Sequence, residues 1–92
     1  MKQITYLELE KWKEENEDFQ LLDVREVEEH QFFNIGGKLL PLSEIFLRKD
    51  EIPTNGKIVV YCKRGIRSQI AIQRLTSLFP NCEFYNLANG VW

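Results

Sequence analysis

The chain has 92 residues, of which 43% are hydrophobic and 28% are charged. This length fits one domain, and the composition is that of a globular protein, which excludes a disordered chain, a fibre and a coiled coil. A net charge of −2 and an isoelectric point of about 5.4 argue against a basic face that binds nucleic acid. Two cysteines are too few for a disulfide scaffold, and no apolar run approaches a membrane span. A reducing, cytoplasmic setting without a membrane partner is therefore expected.

The first half of the chain carries short and separate structural signals. Thr5 and Glu8 have the spacing of a capping box, which marks the start of a helix. In chain order the signals predict a helix over 6–16, a buried strand over 19–24, a short acidic helix over 25–31, an extended segment over 39–42 and a short helix over 43–49 capped by Ser43.

The second half contains the clearest elements. Residues 58–61 form a continuous β-forming run, typical of a strand that is covered on both faces of a parallel sheet. Residues 68–79 follow with helical spacing, and a last strand is predicted over 83–87. The buried face of the helix is predicted to consist of Ala71, Ile72, Leu75, Leu78 and Phe79. The alternation of strands and helices predicts an α/β sheet with right-handed crossovers.

A cysteine followed by three cations connects the buried strand to this helix. The connection reads Cys62-Lys63-Arg64-Gly65-Ile66-Arg67-Ser68 and lies beyond the carboxyl end of a strand, where ligands bind in open α/β sheets. The helix start presents unpaired N–H groups and a positive dipole end, and the glycine permits the crowded backbone that lets those groups converge. These features favour the ionised form of the cysteine and the binding of an anion next to it. We therefore expect a nucleophilic cysteine in an anion-binding cradle, and the alternative is a buried structural cysteine.

The same loop resembles the active-site loop of the rhodanese-like domains, which is a cysteine, four residues, an arginine and then serine or threonine. Two further segments resemble that family in the same order. Leu21-Leu22-Asp23-Val24-Arg25-Glu26 is similar to its Asp-x-Arg segment, and residues 86–92 are similar to its closing Leu-x-Gly-Gly-x-x-x-Trp region. The resemblance implies an open, mostly parallel sheet with helices on both faces. It also implies a single domain over residues 1–92 that ends at Trp92, before the further helix of many family members.

Two segments depart from the family pattern. Residues 33–42 replace the family's Gly-His-Ile-Pro-Gly-Ala with a variant that is similar to rhodanese domains fused to sulfur-carrier-activating enzymes. This variant points to a persulfide relay. Asn89 replaces the first glycine of the closing pair.

The resemblance implies a thiosulfate sulfurtransferase without a cofactor. Cys62 would take a sulfane sulfur from a small anion such as thiosulfate and pass it as a persulfide to cyanide or a thiol, with a sulfur-carrier protein as a candidate acceptor. Arg67 would be the second catalytic residue, closing the loop and orienting the anion. Asp23 and Arg25 are expected to support the neighbouring strand end. The substrate-binding residues would be Lys63, Arg64, Gly65, Ile66 and Ser68.

Other interpretations stay open at this point. A non-catalytic interaction or regulatory module would also retain the loop. A cysteine phosphatase or arsenate reductase would place its arginine one residue later, where this chain has Ser68. The single histidine, His30, is expected to be a solvated surface residue rather than a base for Cys62. Cys82 is expected to be buried filler rather than a resolving thiol. No set of histidine, cysteine and carboxylate residues has metal-ligand spacing, so no metal is expected.

Overall fold

A computed structural model describes residues 1–91, which form one five-stranded sheet; the prediction for Trp92 lies outside the described residues. The strands are β1 (Lys2–Ile4), β2 (Gln20–Asp23), β3 (Lys38–Leu39), β4 (Gly56–Tyr61) and β5 (Cys82–Leu87). Their spatial order is β1-β5-β4-β2-β3, and all neighbouring pairs are parallel. The prediction of a mostly parallel sheet is thus confirmed, and the carboxyl ends of all five strands lie at one edge.

The described part of the chain has three α-helices: α1 (Tyr6–Glu14), α2 (Val27–Phe32) and α3 (Ile66–Thr76). The predicted capping box is confirmed at α1, where the N–H of Glu8 donates to Thr5 Oγ1 at 3.1 Å and the N–H of Thr5 donates to Glu8 Oε1 at 2.9 Å. Within residues 1–91, no helix is both long enough and apolar enough to cross a membrane.

Alternate residues of β4 point to opposite faces of the sheet. On one face, Ile58 and Val60 pack in a cluster that contains the buried residues of α3. On the other face, Val59 and Tyr61 pack in a cluster that contains the buried leucine of α1. Helices α1 and α3 therefore cover opposite faces, as expected. Cys62, which follows β4, belongs to the cluster on the α3 face.

Several details of the predicted elements differ from the structure. Ser43 does not start a helix to residue 49; that region forms short 3₁₀ turns over Leu42–Glu44 and Lys49–Glu51. Ile45 is buried there while Phe46 and Leu47 are exposed, and one buried side chain gives no apolar stripe on which a helix can pack. Strand β1 was not predicted, because only one of its three residues is buried. Helix α1 ends at residue 14 rather than 16. Helix α3 spans 66–76 rather than 68–79, which leaves Leu78 exposed.

Candidate functional site

The loop between β4 and α3 lies at the carboxyl edge of the sheet. Cys62 directly follows β4, and α3 begins at Ile66. Gly65 is the N-cap of α3 and has a φ of 87°, in the left-handed region that residues with a Cβ rarely adopt. This glycine turns the chain from strand to helix within a few residues, so that the first amide groups of the helix face back toward the cysteine.

The sulfur of Cys62 accepts hydrogen bonds from this loop. The N–H of Gly65 lies 3.1 Å from Sγ, the N–H of Ser68 lies 3.3 Å away, and the Ser68 hydroxyl lies 3.4 Å away. Burial by itself raises the pKa of Cys62. Hydrogen bonds from the Ser68 hydroxyl and from the backbone N–H groups of Ser68, Arg64 and Gly65 lower the pKa, and together they outweigh the effect of burial. The net result is a pKa below the usual value, which increases the thiolate fraction.

A chain of polar side chains continues from the sulfur to the edge strand. The Ser68 hydroxyl donates to Oδ1 of Asn86, which is buried in β5. The Nδ2 group of Asn86 donates in turn to Gln3 Oε1 at 2.9 Å. Because a hydroxyl has only one hydrogen to donate, the thiolate of Cys62 and the amide oxygen of Asn86 compete for it. Asn86 was not among the predicted site residues; the signal that could have found it is a polar residue inside a buried strand.

The segment after β5 holds the cysteine loop from behind. The N–H of Val91 donates to the carbonyl oxygen of Cys62 at 2.9 Å. A Cβ atom added at Gly90 would lie 2.3 Å from that same oxygen and 2.4 Å from the carbonyl oxygen of Lys63. Only a glycine at position 90 therefore allows the backbone after β5 to lie so close to the backbone of the cysteine loop. Asn89, the departure from the family pattern, has a φ of 63°, a left-handed conformation that asparagine tolerates better than most residues.

The loop surrounds a pocket of about 240 Å³, whose lining residues are Cys62, Lys63, Arg64, Ile66 and Arg67. The other two predicted loop residues, Gly65 and Ser68, are buried and donate to the sulfur. The structure therefore brings all seven predicted loop residues together. The Lys63 and Arg64 side chains are exposed, so cationic groups stand at the opening of the pocket above the sulfur.

Arg67, which lines the pocket, pairs with Glu29 of α2. Nη1 and Nη2 of the guanidinium lie 2.6 and 2.8 Å from the two carboxylate oxygens. The hydrogen bonds from Arg67 lower the pKa of Glu29 from 4.5 to about 2, and the pairing raises the pKa of Arg67. A guanidinium has five N–H donors, of which this carboxylate occupies two. Sequence reasoning missed the pair because 38 residues separate its members.

Asp23, at the end of β2, is fully buried and is bound by two side chains. Nε and Nη2 of Arg25 each lie 2.9 Å from one of its carboxylate oxygens, and Arg25 also donates to the Phe33 carbonyl at 2.6 Å. His30 Nδ1 lies 2.8 Å from Asp23 Oδ2, and its side chain is only 23% exposed. The expectation of a solvated histidine was wrong, because α2 turns this side chain toward the end of β2. These contacts tie α2 and the following loop to the sheet.

Cys82 lies at the other end of the sheet from Cys62. It begins β5 and is the parallel partner of Gly56, the first residue of β4. At ~3.3 Å per strand residue, the length of β4 places the two cysteines about 20 Å apart, beyond the ~7 Å limit between the Cα atoms of a disulfide. The Cys82 thiol is half-buried and donates to the Pro53 carbonyl at 3.2 Å. This placement argues against a resolving thiol.

Among the described residues, no cluster of His, Cys, Asp and Glu is arranged to hold a metal ion.

These features define a parallel α/β domain with a buried cysteine whose sulfur faces the N–H groups at the start of the following helix. The family model described as Rhodanese-like domain matches residues 5–91, and the chain belongs to that family. It is 41% identical over 73 residues to protein YqhL of Bacillus subtilis (strain 168), covering 77% of this chain and 56% of that protein. It is 34% identical over 76 residues to the protein named "Putative sulfur carrier protein YrkF" from the same organism, covering 78% and 41%. The chain thus spans about half the length of these curated relatives.

Solved structures show the same fold. A rhodanese-like domain protein from Staphylococcus aureus superposes with a TM-score of 0.88 at 28% identity, covering 98% of this chain and 87% of that one. A thiosulfate sulfurtransferase from Pseudomonas aeruginosa superposes with a TM-score of 0.82 at 28% identity, covering 98% of this chain and 18% of that one. The family and fold implied by the sequence resemblance are therefore confirmed, and the family includes sulfurtransferases.

Proposed function

We propose that the protein is a sulfurtransferase in which Cys62 carries sulfane sulfur as a persulfide from a small anionic donor to a thiol or cyanide. The observation that carries this proposal is the set of hydrogen bonds from Gly65 and Ser68 to the Cys62 sulfur, at the floor of a pocket rimmed by cations. The names of the Pseudomonas sulfurtransferase and of the Bacillus sulfur carrier support the same chemistry.

In the first step, the thiolate of Cys62 attacks the outer sulfur of thiosulfate. The sulfur–sulfur bond of the donor breaks, its electron pair leaves with sulfite, and the new persulfide keeps a negative charge on its outer sulfur. In the second step, an acceptor thiolate or cyanide attacks that outer sulfur, and Cys62 leaves again as a thiolate. Both steps are nucleophilic displacements at sulfur, so electrons balance without an external oxidant or reductant.

The groups around the Cys62 sulfur have separate parts in this scheme. The amide groups that bind the Cys62 sulfur stabilise negative charge in the thiolate and in the transferred sulfur. Lys63 and Arg64, at the opening, attract the anionic donor. Glu29 fixes the plane of the Arg67 guanidinium, whose remaining N–H groups are available to orient the donor.

Intact mass after incubation with thiosulfate tests the proposal. We expect the wild-type chain to gain one sulfur atom and Cys62→Ser to gain none. Cys82→Ser is the matched control, because this second cysteine lies at the other end of the strands and a serine hydroxyl can still donate to the Pro53 carbonyl. No gain on the wild type, or an equal gain on Cys62→Ser, would contradict the proposal. Cys62-dependent turnover of a phosphate ester would instead favour phosphatase chemistry.

A further inference from the structure

A second pocket lies next to the cysteine pocket and has two exposed aromatic side chains in its wall. Phe32, the last residue of α2, is 93% exposed, and Phe33 is 46% exposed. The pocket has a volume of about 170 Å³ and is lined by Arg25, Glu29, Phe32, Phe33, Lys63 and Val91. A cavity of roughly this size accommodates a single benzene ring.

The two pockets share a wall. Lys63 lines both of them, and the backbone of Val91 is hydrogen-bonded to the carbonyl of Cys62. Glu29 of the second pocket is paired with Arg67 of the first. A ligand that reaches the Cys62 sulfur therefore has its next chemical group within reach of the aromatic pocket.

Two of the three charged residues in the second pocket are paired with other groups of the protein. Arg25 binds the buried Asp23 carboxylate and the Phe33 carbonyl, while Glu29 binds Arg67. The wall thus presents mainly the two phenyl rings and the valine, with Lys63 at its edge. This surface suits an apolar group, whereas cyanide has no side chain that could fill it.

We propose that this second pocket receives an apolar side chain adjacent to the acceptor cysteine, so that the acceptor is a protein segment with a cysteine next to an apolar residue. The inference rests on the proposed sulfur transfer and names its acceptor class. Cys62 is only 1% exposed, so an acceptor thiol must enter the pocket to attack the persulfide. Phe32, Phe33 and Ile66, all exposed at the two pockets, form the apolar rim expected of a surface that contacts another protein.

Capped dipeptides test this acceptor preference. The acceptors are the amides of acetyl-cysteinyl-phenylalanine and acetyl-phenylalanyl-cysteine, and the same two peptides with serine in place of phenylalanine. Cyanide serves as an acceptor without a side chain. The persulfide-loaded full chain is mixed with each acceptor, and the loss of the outer sulfur is followed by intact mass. We expect at least one phenylalanine peptide to discharge the persulfide about tenfold faster than its serine counterpart.

Two variants locate the origin of the preference. Phe32→Ser changes a side chain that is 93% exposed, so the fold is expected to be unaffected. In this variant the rates with the phenylalanine and serine peptides should become nearly equal, while the rate with cyanide stays the same. Leu7→Ser, an 80% exposed position on α1, is the matched control and should keep the preference. Equal rates for phenylalanine and serine peptides, a preference retained in Phe32→Ser, or an equal loss in Leu7→Ser would overturn the inference. A chain that never forms the persulfide would instead refute the proposed function itself.

Discussion

Removal of the Ser68 hydroxyl tests how the protein holds the Cys62 thiolate. In Ser68→Ala the backbone N–H groups of residues 65 and 68 still face the sulfur, but the hydroxyl at 3.4 Å is lost. Among the contacts that lower the pKa of Cys62, this hydroxyl contributes most, opposed by the larger effect of burial. We expect the pKa of Cys62 to rise in the variant.

The size of this rise follows from the geometry. A hydrogen bond to a charged group is worth ~1.5–3 kcal/mol, and a pKa change of one unit corresponds to ~1.4 kcal/mol. The long contact to sulfur and the competition from Asn86 for the single hydroxyl hydrogen favour the lower end of that range. Loss of the hydroxyl should therefore cost the thiolate about 1.5 kcal/mol, and the pKa of Cys62 should rise accordingly. The same substitution leaves the buried Asn86 oxygen without its Ser68 donor, which should cost about 1–3 kcal/mol of the free energy of unfolding.

The rate of Cys62 alkylation by iodoacetamide as a function of pH gives this pKa directly, in a Cys82→Ser background that removes the second thiol. Thr76→Val is the matched control, because its hydroxyl is also on α3 and donates to the Ile72 carbonyl rather than to the sulfur. Thr76→Val should lose some stability, but the pH midpoint of Cys62 alkylation should be the same as in the wild type. A folded Ser68→Ala protein whose midpoint equals that of the wild type would refute the reasoning that this hydroxyl stabilises the thiolate.

Two further substitutions test the contacts around the loop. Gly90→Ala places a Cβ against the backbone oxygens of Cys62 and Lys63, so urea unfolding should show a loss of about 2–4 kcal/mol, and an unchanged unfolding midpoint would contradict the close approach. The pKa of Glu29 is about 2 in the folded protein instead of 4.5, so its pairing stabilises the fold above the usual pKa and this contribution is lost as the pH falls through that window. Glu29→Gln should therefore be less stable than the wild type near neutral pH, and it should lose less stability when the pH is lowered into that window. Urea unfolding of both proteins, near neutral pH and at the acidic pH, measures this. Equal losses of stability on acidification in the two proteins would contradict the reasoning.

The cysteine cradle could be predicted from the sequence because all its parts are local. A buried strand end, a glycine and a helix start fall within seven consecutive residues, and the covalent chain itself places the amide groups around the sulfur. The same holds for the Thr5 capping box, which involves residues three apart. By contrast, β1 is held by pairing with β5, more than 80 residues along the chain, and three residues with one buried side chain carry too little pattern to reveal it.

Two contacts that also affect the electrostatics of the site were not revealed by the sequence. His30 lies seven residues from Asp23 on a separate element, and its pairing depends on how α2 is placed against the end of β2. Glu29 comes from the same helix and takes up two N–H groups of Arg67. The charge of Arg67, one of the three cations of the loop, is therefore already offset in part by a carboxylate before a donor arrives. In the proposed transfer, Arg67 would therefore act less through its charge than through the direction of its remaining N–H groups, which its two hydrogen bonds to Glu29 fix.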